Sequence, residues 1–206
     1  MTAIDLSSFA GLTAMVLMTL NILLGLLVTT NYQTHRAWPH RKLPITFFKI
    51  HNWTAYLALS VAILHPLILL ASSTARFKLP DIVWPFSSPG QRTYNLLGAL
   101  TLYSFAFVVV TSYFRPRLRY RPWKKLHYMA YVAAATMYIH GTLIDPDLKN
   151  QPTDFLDSEK LLVEGCFLLV VAGIVWRIRY GKERQRWRKK HQDGTDDRRL
   201  SPVKPS

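Results

Sequence analysis

Residues 50–75 read IHNWTAYLALSVAILHPLILLASSTA, without a single Asp, Glu, Lys or Arg. A helix crosses a hydrocarbon layer about 30 Å thick with about 20 predominantly apolar residues, so this stretch is long enough to span a bilayer. Two histidines, His51 and His65, stand inside it. Lipid offers an imidazole no hydrogen bonds, and an ionisable residue at membrane depth is by default a functional candidate facing the interior of a bundle. The same stretch therefore bears on both the fold and the site.

Working outward, residues 9–30, 93–114 and 126–144 are also free of charge. A fifth apolar run, 161–178, carries Glu164 near its start and Arg177 near its end, where side chains reach the interface. Lys160, four residues before Glu164, is its expected helical partner. The reading is an all-α membrane protein, a bundle of about five transmembrane helices at about residues 9–30, 50–72, 93–114, 124–144 and 160–179. These form one transmembrane domain, 1–180, followed by a basic tail, 181–206, whose polar, proline-bearing end from 192 onward is expected to be disordered.

Orientation follows from the cations, because loops kept on the cytoplasmic side are enriched in Lys and Arg. The segment between spans one and two, the stretch from Arg115 to Lys125, and the stretch from Arg177 onward together hold 21 of the 26 cations. The N-terminus is thus expected outside and the C-terminus inside, in a multi-pass protein of the cell (inner) membrane. Trp38, Trp53, Trp84, Trp123 and Trp176 fall near the span ends, where an amphipathic indole prefers the headgroup region. The outer loop, 77–90, mixes apolar side chains with Pro80, Pro85 and Pro89, which preclude a long helix and predict a segment lying over the outer face. The basic tail reads as a topology anchor that also touches anionic lipid, rather than as a nucleic-acid site.

Several classes are excluded. One cysteine, Cys166, allows no intramolecular disulfide, Cys-rich zinc module or cysteine-ligated iron–sulfur cluster. No G-x-G-x-x-G or G-K-[ST] signals a nucleotide site. Only Asp5 carries charge before the first span, so a cleavable signal peptide is not expected.

Four of the seven histidines lie within spans, His51 and His65 on the second and His127 and His140 on the fourth. The first pair is separated by about 21 Å of helix and the second by about 19.5 Å. Both spans run from inside to outside, so His51 and His127 share an inner level and His65 and His140 an outer one. Two levels, each with an imidazole from each of two helices, suit the clamping of two flat macrocycles, and imidazole suits haem iron. Helical phase supports the first pair, since 14 steps return to within about 40° of the starting direction. It does not support the second, where 13 steps miss by about 140°, so the fourth span is expected to bend, tighten or widen, or else one histidine is not a ligand. Gly141 and Pro66, each directly after an outer histidine, are candidate sites for such an adjustment.

The spacing H-x13-H on one span and H-x12-H on another, with Lys49 before His51 and Lys124 and Lys125 before His127, resembles the membrane domain of the ferric reductase and NADPH oxidase superfamily. The run from Trp123-Lys-Lys-Leu-His127-Tyr through Tyr138-Ile-His140 is also similar to a helix in the haem-binding membrane subunit of bacterial periplasmic methionine-sulfoxide reductase. The resemblance covers about residues 10 to 180. It implies two b-type haems, one ligated by His51 and His127 and the other by His65 and His140. It further implies transmembrane electron transfer by a bis-histidine cytochrome b, a haem-containing oxidoreductase subunit. Relatives commonly have six spans rather than five. A flavin and nicotinamide domain is not expected in the short stretch after the last span, so FAD or FMN would enter only through a partner. The donor would be a separate flavoprotein or a quinol, and the outer acceptor a ferric chelate or a partner oxidoreductase. Arg92, which opens the third span, is the first candidate for a haem propionate, although it reads equally as an interfacial anchor. Arg76, Arg41, Lys42, Lys124 and Lys125 are also available. Met129 and Met137 read as packing residues.

Other readings stay open at this point. A single intramembrane histidine is more often a helix-packing hydrogen bonder than a ligand. A histidine-based metal or proton transporter would want carboxylates at membrane depth, where Glu164 is the one candidate. A scaffold acting through the basic tail leaves the histidines unexplained.

Overall fold

The computed structural model describes residues 2–30, 47–145 and 156–200. His35, Trp38, Arg41 and Lys42 lie outside the described residues, as do most of the acidic connection before Lys160 and the side chains from 187 onward. Among the described residues every regular element is helical. The main helices are α1 (Ala3–Thr30), α2 (Phe47–Ile68), α3 (Leu79–Val83), α4 (Arg92–Tyr113), α5 (Tyr120–His127), α6 (Met129–Leu143) and α7 (Ser158–Leu200).

Local chemistry sets several ends. The Asp5 amide donates to the Thr2 hydroxyl at 3.2 Å and the Asp5 carboxylate accepts from the Thr2 amide at 2.6 Å, a reciprocal cap that opens α1. Pro66 lies in the last turns of α2, which then tightens into a 3-10 turn at Leu69–Ala71. The proline-bearing outer segment forms only α3 and the 3-10 turn Pro85–Ser87, as its composition requires. Asp81 pins it, accepting from the Lys78 amide and the Ser87 hydroxyl, each at 2.9 Å.

Four helices are long and apolar enough to cross a membrane: Ala3–Val28, Phe47–Ala71, Arg92–Tyr113 and Ser158–Arg186. The span expected at 124–144 is not one continuous helix. It is divided between α5 and α6 by a break at Tyr128, and its longer part, α6, has 15 residues. The last helix is longer than expected, with 43 residues against an apolar run expected at 161–178. The chain is a multi-pass membrane protein whose apolar outer faces, such as Trp53, Leu57 and Leu64 on α2 and Phe167, Leu168 and Leu169 on α7, are exposed to meet lipid.

The helices pack as two hairpins with α7 alongside. α1 lies along α2, α4 lies along α6, and α7 packs on α1 and α6; the contact between α2 and α4 is thinner. A midplane layer contains Met18, Ala58, Phe105 and Ala133, all buried. Ala58 stands midway between His51 and His65, so this apolar layer separates the two histidine levels.

Most polar groups inside the described bundle are paired, as a medium without water requires, the buried Trp123 Nε1 being an exception. Thr19 Oγ1 and the Tyr138 hydroxyl lie 2.8 Å apart between α1 and α6, and Thr101 donates to Thr136 at 2.8 Å between α4 and α6. Gln91 clasps the Asp145 backbone, donating to its carbonyl at 3.2 Å and accepting from its amide at 2.9 Å. Lys160 departs from the expected pairing with Glu164. Its buried ammonium donates to the carbonyls of Gly141 (2.9 Å) and Ile144 (2.5 Å), closing the C-terminus of α6.

Candidate functional site

His51 and His65 lie on one face of α2, turned towards α1 and away from the exposed face that bears Trp53, Leu57 and Leu64. Fourteen residues separate them, close to four turns, which is why an uninterrupted helix brings both to the same side. Asn21 and Ser7 on α1 receive them. His51 Nδ1 sits 3.0 Å from the Asn21 carbonyl, and His65 Nδ1 sits 2.7 Å from the Ser7 carbonyl. Two further bonds fix the pairs: Asn21 Nδ2 donates to the His51 carbonyl at 2.5 Å, and the Ser7 hydroxyl donates to the His65 carbonyl at 2.8 Å.

On the other hairpin, His140 Nδ1 lies 2.7 Å from the Tyr94 carbonyl of α4, and His127 Nδ1 lies 3.2 Å from the Ser112 hydroxyl. The phase difficulty is resolved at the inner end, directly after His127, and not at Gly141 or Pro66. Tyr128 stands between the two helices, and the Tyr128 and Tyr131 amides each bond to a carbonyl three residues back, at 3.2 and 3.0 Å. The backbone is thus tightened between His127 and α6, which changes the angular relation of His127 to His140. The Trp123 ring stacks on His127 with centroids 5.0 Å apart, and the Arg115 guanidinium covers Trp123 at 4.5 Å. Gly141 has another use: a Cβ there would collide with the Met15 methyl, so it lets α6 approach α1.

At the level expected to be the inner one, the His51 and His127 rings are 6.4 Å apart, centroid to centroid, and inclined by 69°. At the outer level His65 and His140 line one cavity of about 200 Å³. Its wall is largely apolar, with Met15, Met18, Phe105 and Met137 among its residues, and segment 77–85 contributes Phe77, Ile82 and Pro85. Glu159 and Lys160 also line it, whereas Arg92 is exposed and is not among the lining residues. Among the residues that line this cavity the cation is Lys160, bonded to main-chain carbonyls rather than to Glu164.

The residues fit a planar metallocycle held from two sides. The hydrogen bonds of all four rings run through Nδ1, which leaves Nε2 to act as a ligand. Two metal–nitrogen bonds of about 2 Å, with about 1 Å from each nitrogen to its ring centre, require centroids about 6 Å apart, close to the distance at the inner level. Among the described residues there is no group of three or more His, Cys, Asp or Glu of the kind a bare metal ion would need.

The supporting residues Ser7, Asn21, Tyr94 and Ser112 escaped sequence reasoning, although two of them left a signal. Ser7 and Asn21 are spaced by 14 residues, as are His51 and His65, which marks two antiparallel helices in register.

Residues 10–138, well over half of the chain, match the family model described as ferric reductase like transmembrane component. The match contains His51, His65 and His127 and ends two residues before His140. Neither a curated protein nor a solved structure gave a match. With histidines at two depths of a helical membrane bundle, the chain belongs to the ferric reductase-like transmembrane component family.

Proposed function

We propose that this chain is a bis-histidine cytochrome b that carries electrons across the cell membrane. His51 and His127 hold one b-type haem, and His65 and His140 hold the other. The observation that carries the reading is the inner pair: two imidazoles from different helices stand 6.4 Å apart with Nδ1 bonded and Nε2 available. Held by two imidazoles, a haem would supply one-electron exchange there rather than oxygen or substrate binding. The chain's part is to fix the rings and keep water from the midplane, which Met18, Ala58, Phe105 and Ala133 fill.

The positive-inside rule places the basic end, at Arg115–Lys125, in the cytoplasm. Electrons then enter near His51 and His127 from a flavoprotein or a quinol and leave near His65 and His140 to a ferric chelate or a partner oxidoreductase. An inside-negative potential assists this direction by about 2.3 kcal/mol per 100 mV for a full crossing. Lys160, at the outer cavity, is the residue placed to face a haem propionate.

The test is the purified protein itself. Two haems per chain with low-spin spectra support the reading, and reduction assays in membranes with a panel of donors and acceptors then identify the partners. A colourless preparation carrying stoichiometric zinc would overturn it in favour of transport.

A further inference from the structure

Three of the four histidines meet their partner helix in the same way. His65 bonds to the carbonyl of Ser7, and Gly11 follows four residues later; His51 bonds to Asn21, and Gly25 follows four later; His140 bonds to Tyr94, and Gly98 follows four later. In an α-helix the amide of residue i+4 donates to the carbonyl of residue i. Each glycine is therefore the residue whose own amide already uses the carbonyl that the imidazole approaches. A carbonyl oxygen has two lone pairs and can accept both bonds, provided that nothing stands beside it.

A side chain at i+4 would stand there. A Cβ on Gly98 would lie 2.9 Å from His140 Cε1 and 3.1 Å from its Nε2. On Gly11 it would lie 3.0 Å from both Cε1 and Nδ1 of His65, and on Gly25 it would lie 3.2 Å from His51 Cε1. Of the eight glycines whose surroundings are described, these are the three whose added carbon meets a histidine. Glycine in a helix interior is otherwise unfavourable, so three such placements on two helices have a packing cause. His127 is the exception in both respects, since its Nδ1 meets the Ser112 hydroxyl and no glycine faces it.

We propose that Gly11, Gly25 and Gly98 are positioning residues: each clears the space through which a histidine of the neighbouring helix donates from Nδ1 to a main-chain carbonyl. The bond fixes the Nδ1–H tautomer and aims Nε2 between the hairpins. It also raises the basicity of the ring as a ligand, which favours ferric over ferrous iron. The inference rests on the haem reading and adds to it which residues hold the ligands in their working state.

The crowding distances predict a graded series. In Gly98→Ala and Gly11→Ala the outer haem is held about 10- to 100-fold more weakly, its midpoint potential rises and its low-spin electron paramagnetic resonance signal moves, while the inner haem is unchanged. Gly25→Ala acts on the inner haem alone, and less strongly. Gly165→Ala, which meets nothing within 4 Å, changes neither. Gly173→Ala is the decisive control, because its Cβ would crowd Leu23 and Leu26 at 2.9 and 3.1 Å with no histidine involved. If Gly173→Ala moves the haem potentials as far as Gly98→Ala, or if Gly98→Ala moves neither, the glycines only pack helices and the proposal falls. Should the unaltered protein bind no haem, the haem reading fails by itself. Imidazole ¹⁵N shifts then decide the present point: the Nδ1–H form of His140 must be present in the unaltered protein and lost in Gly98→Ala, and its persistence would refute the proposal.

Discussion

Replacing His65 with alanine separates the two levels. His65 faces the outer cavity together with His140, while His51 and His127 stand about 21 Å of helix away. The expected outcome is a chain that keeps one haem of two. The effect on the remaining haem is bounded by electrostatics. At an effective dielectric of about 20, unit charges about 21 Å apart interact by about 0.8 kcal/mol. For a one-electron couple this is about 34 mV, given that 1.4 kcal/mol corresponds to about 59 mV. The inner haem should therefore titrate as a single one-electron wave displaced by no more than about 34 mV from its wild-type position. His140→Ala comes from the other hairpin and should give the same product. The double variant should be no worse than either single one, because both residues serve one ligand site. Haem quantification and a potentiometric titration of the detergent-solubilised protein measure this. Loss of both haems from His140→Ala and His65→Ala alike, or a displacement several times larger, would refute the idea of two separate levels.

Other perturbations test the supporting contacts. Ser112→Ala removes the Nδ1 partner of His127 and should raise the midpoint potential of the inner haem alone, as read in the same titration. Lys160→Met strips the carbonyls of Gly141 and Ile144 of their donor and should cost about 1–3 kcal/mol, seen as a lower melting temperature in detergent and partly restored by Lys160→Arg. The Lys78 amide, and after it the Ser87 hydroxyl, hold the Asp81 carboxyl below its ordinary 3.8. A depressed pKa adds stability above the unfolded value that is lost as pH falls through the folded one, so the outer segment should become protease-sensitive below pH 3.8. In Asp81→Asn that sensitivity should already be present at neutral pH.

The helical class, most span positions and the two histidine levels were legible because lipid imposes a strong rule: charge-free runs of the required length, with rare exceptions that mean something. The interruption at Tyr128 was legible only as a conflict of phase. No glycine lies between His127 and His140, and no proline either, so nothing in the local sequence marked where the helix would reset. Its cause is tertiary, with His127 held by Ser112 and His140 by Tyr94 of the neighbouring helix. Lys160 was misread for a similar reason. An i,i+4 partner is visible in sequence, but the open carbonyls of another helix are not. The glycine spacing was visible and unused, because its meaning depends on which helix lies alongside.

Each hairpin contains its own histidines together with the groups that aim them: α1 serves α2, and α4 with the Trp123 stack serves α5 and α6. The molecule is thus divided into two half-moulds. An iron porphyrin clasped between them would act as a rivet, so that loading and assembly become one event. Two polypeptides severed within residues 72–91 should then copurify from cells supplied with haem and drift apart in cells starved of it.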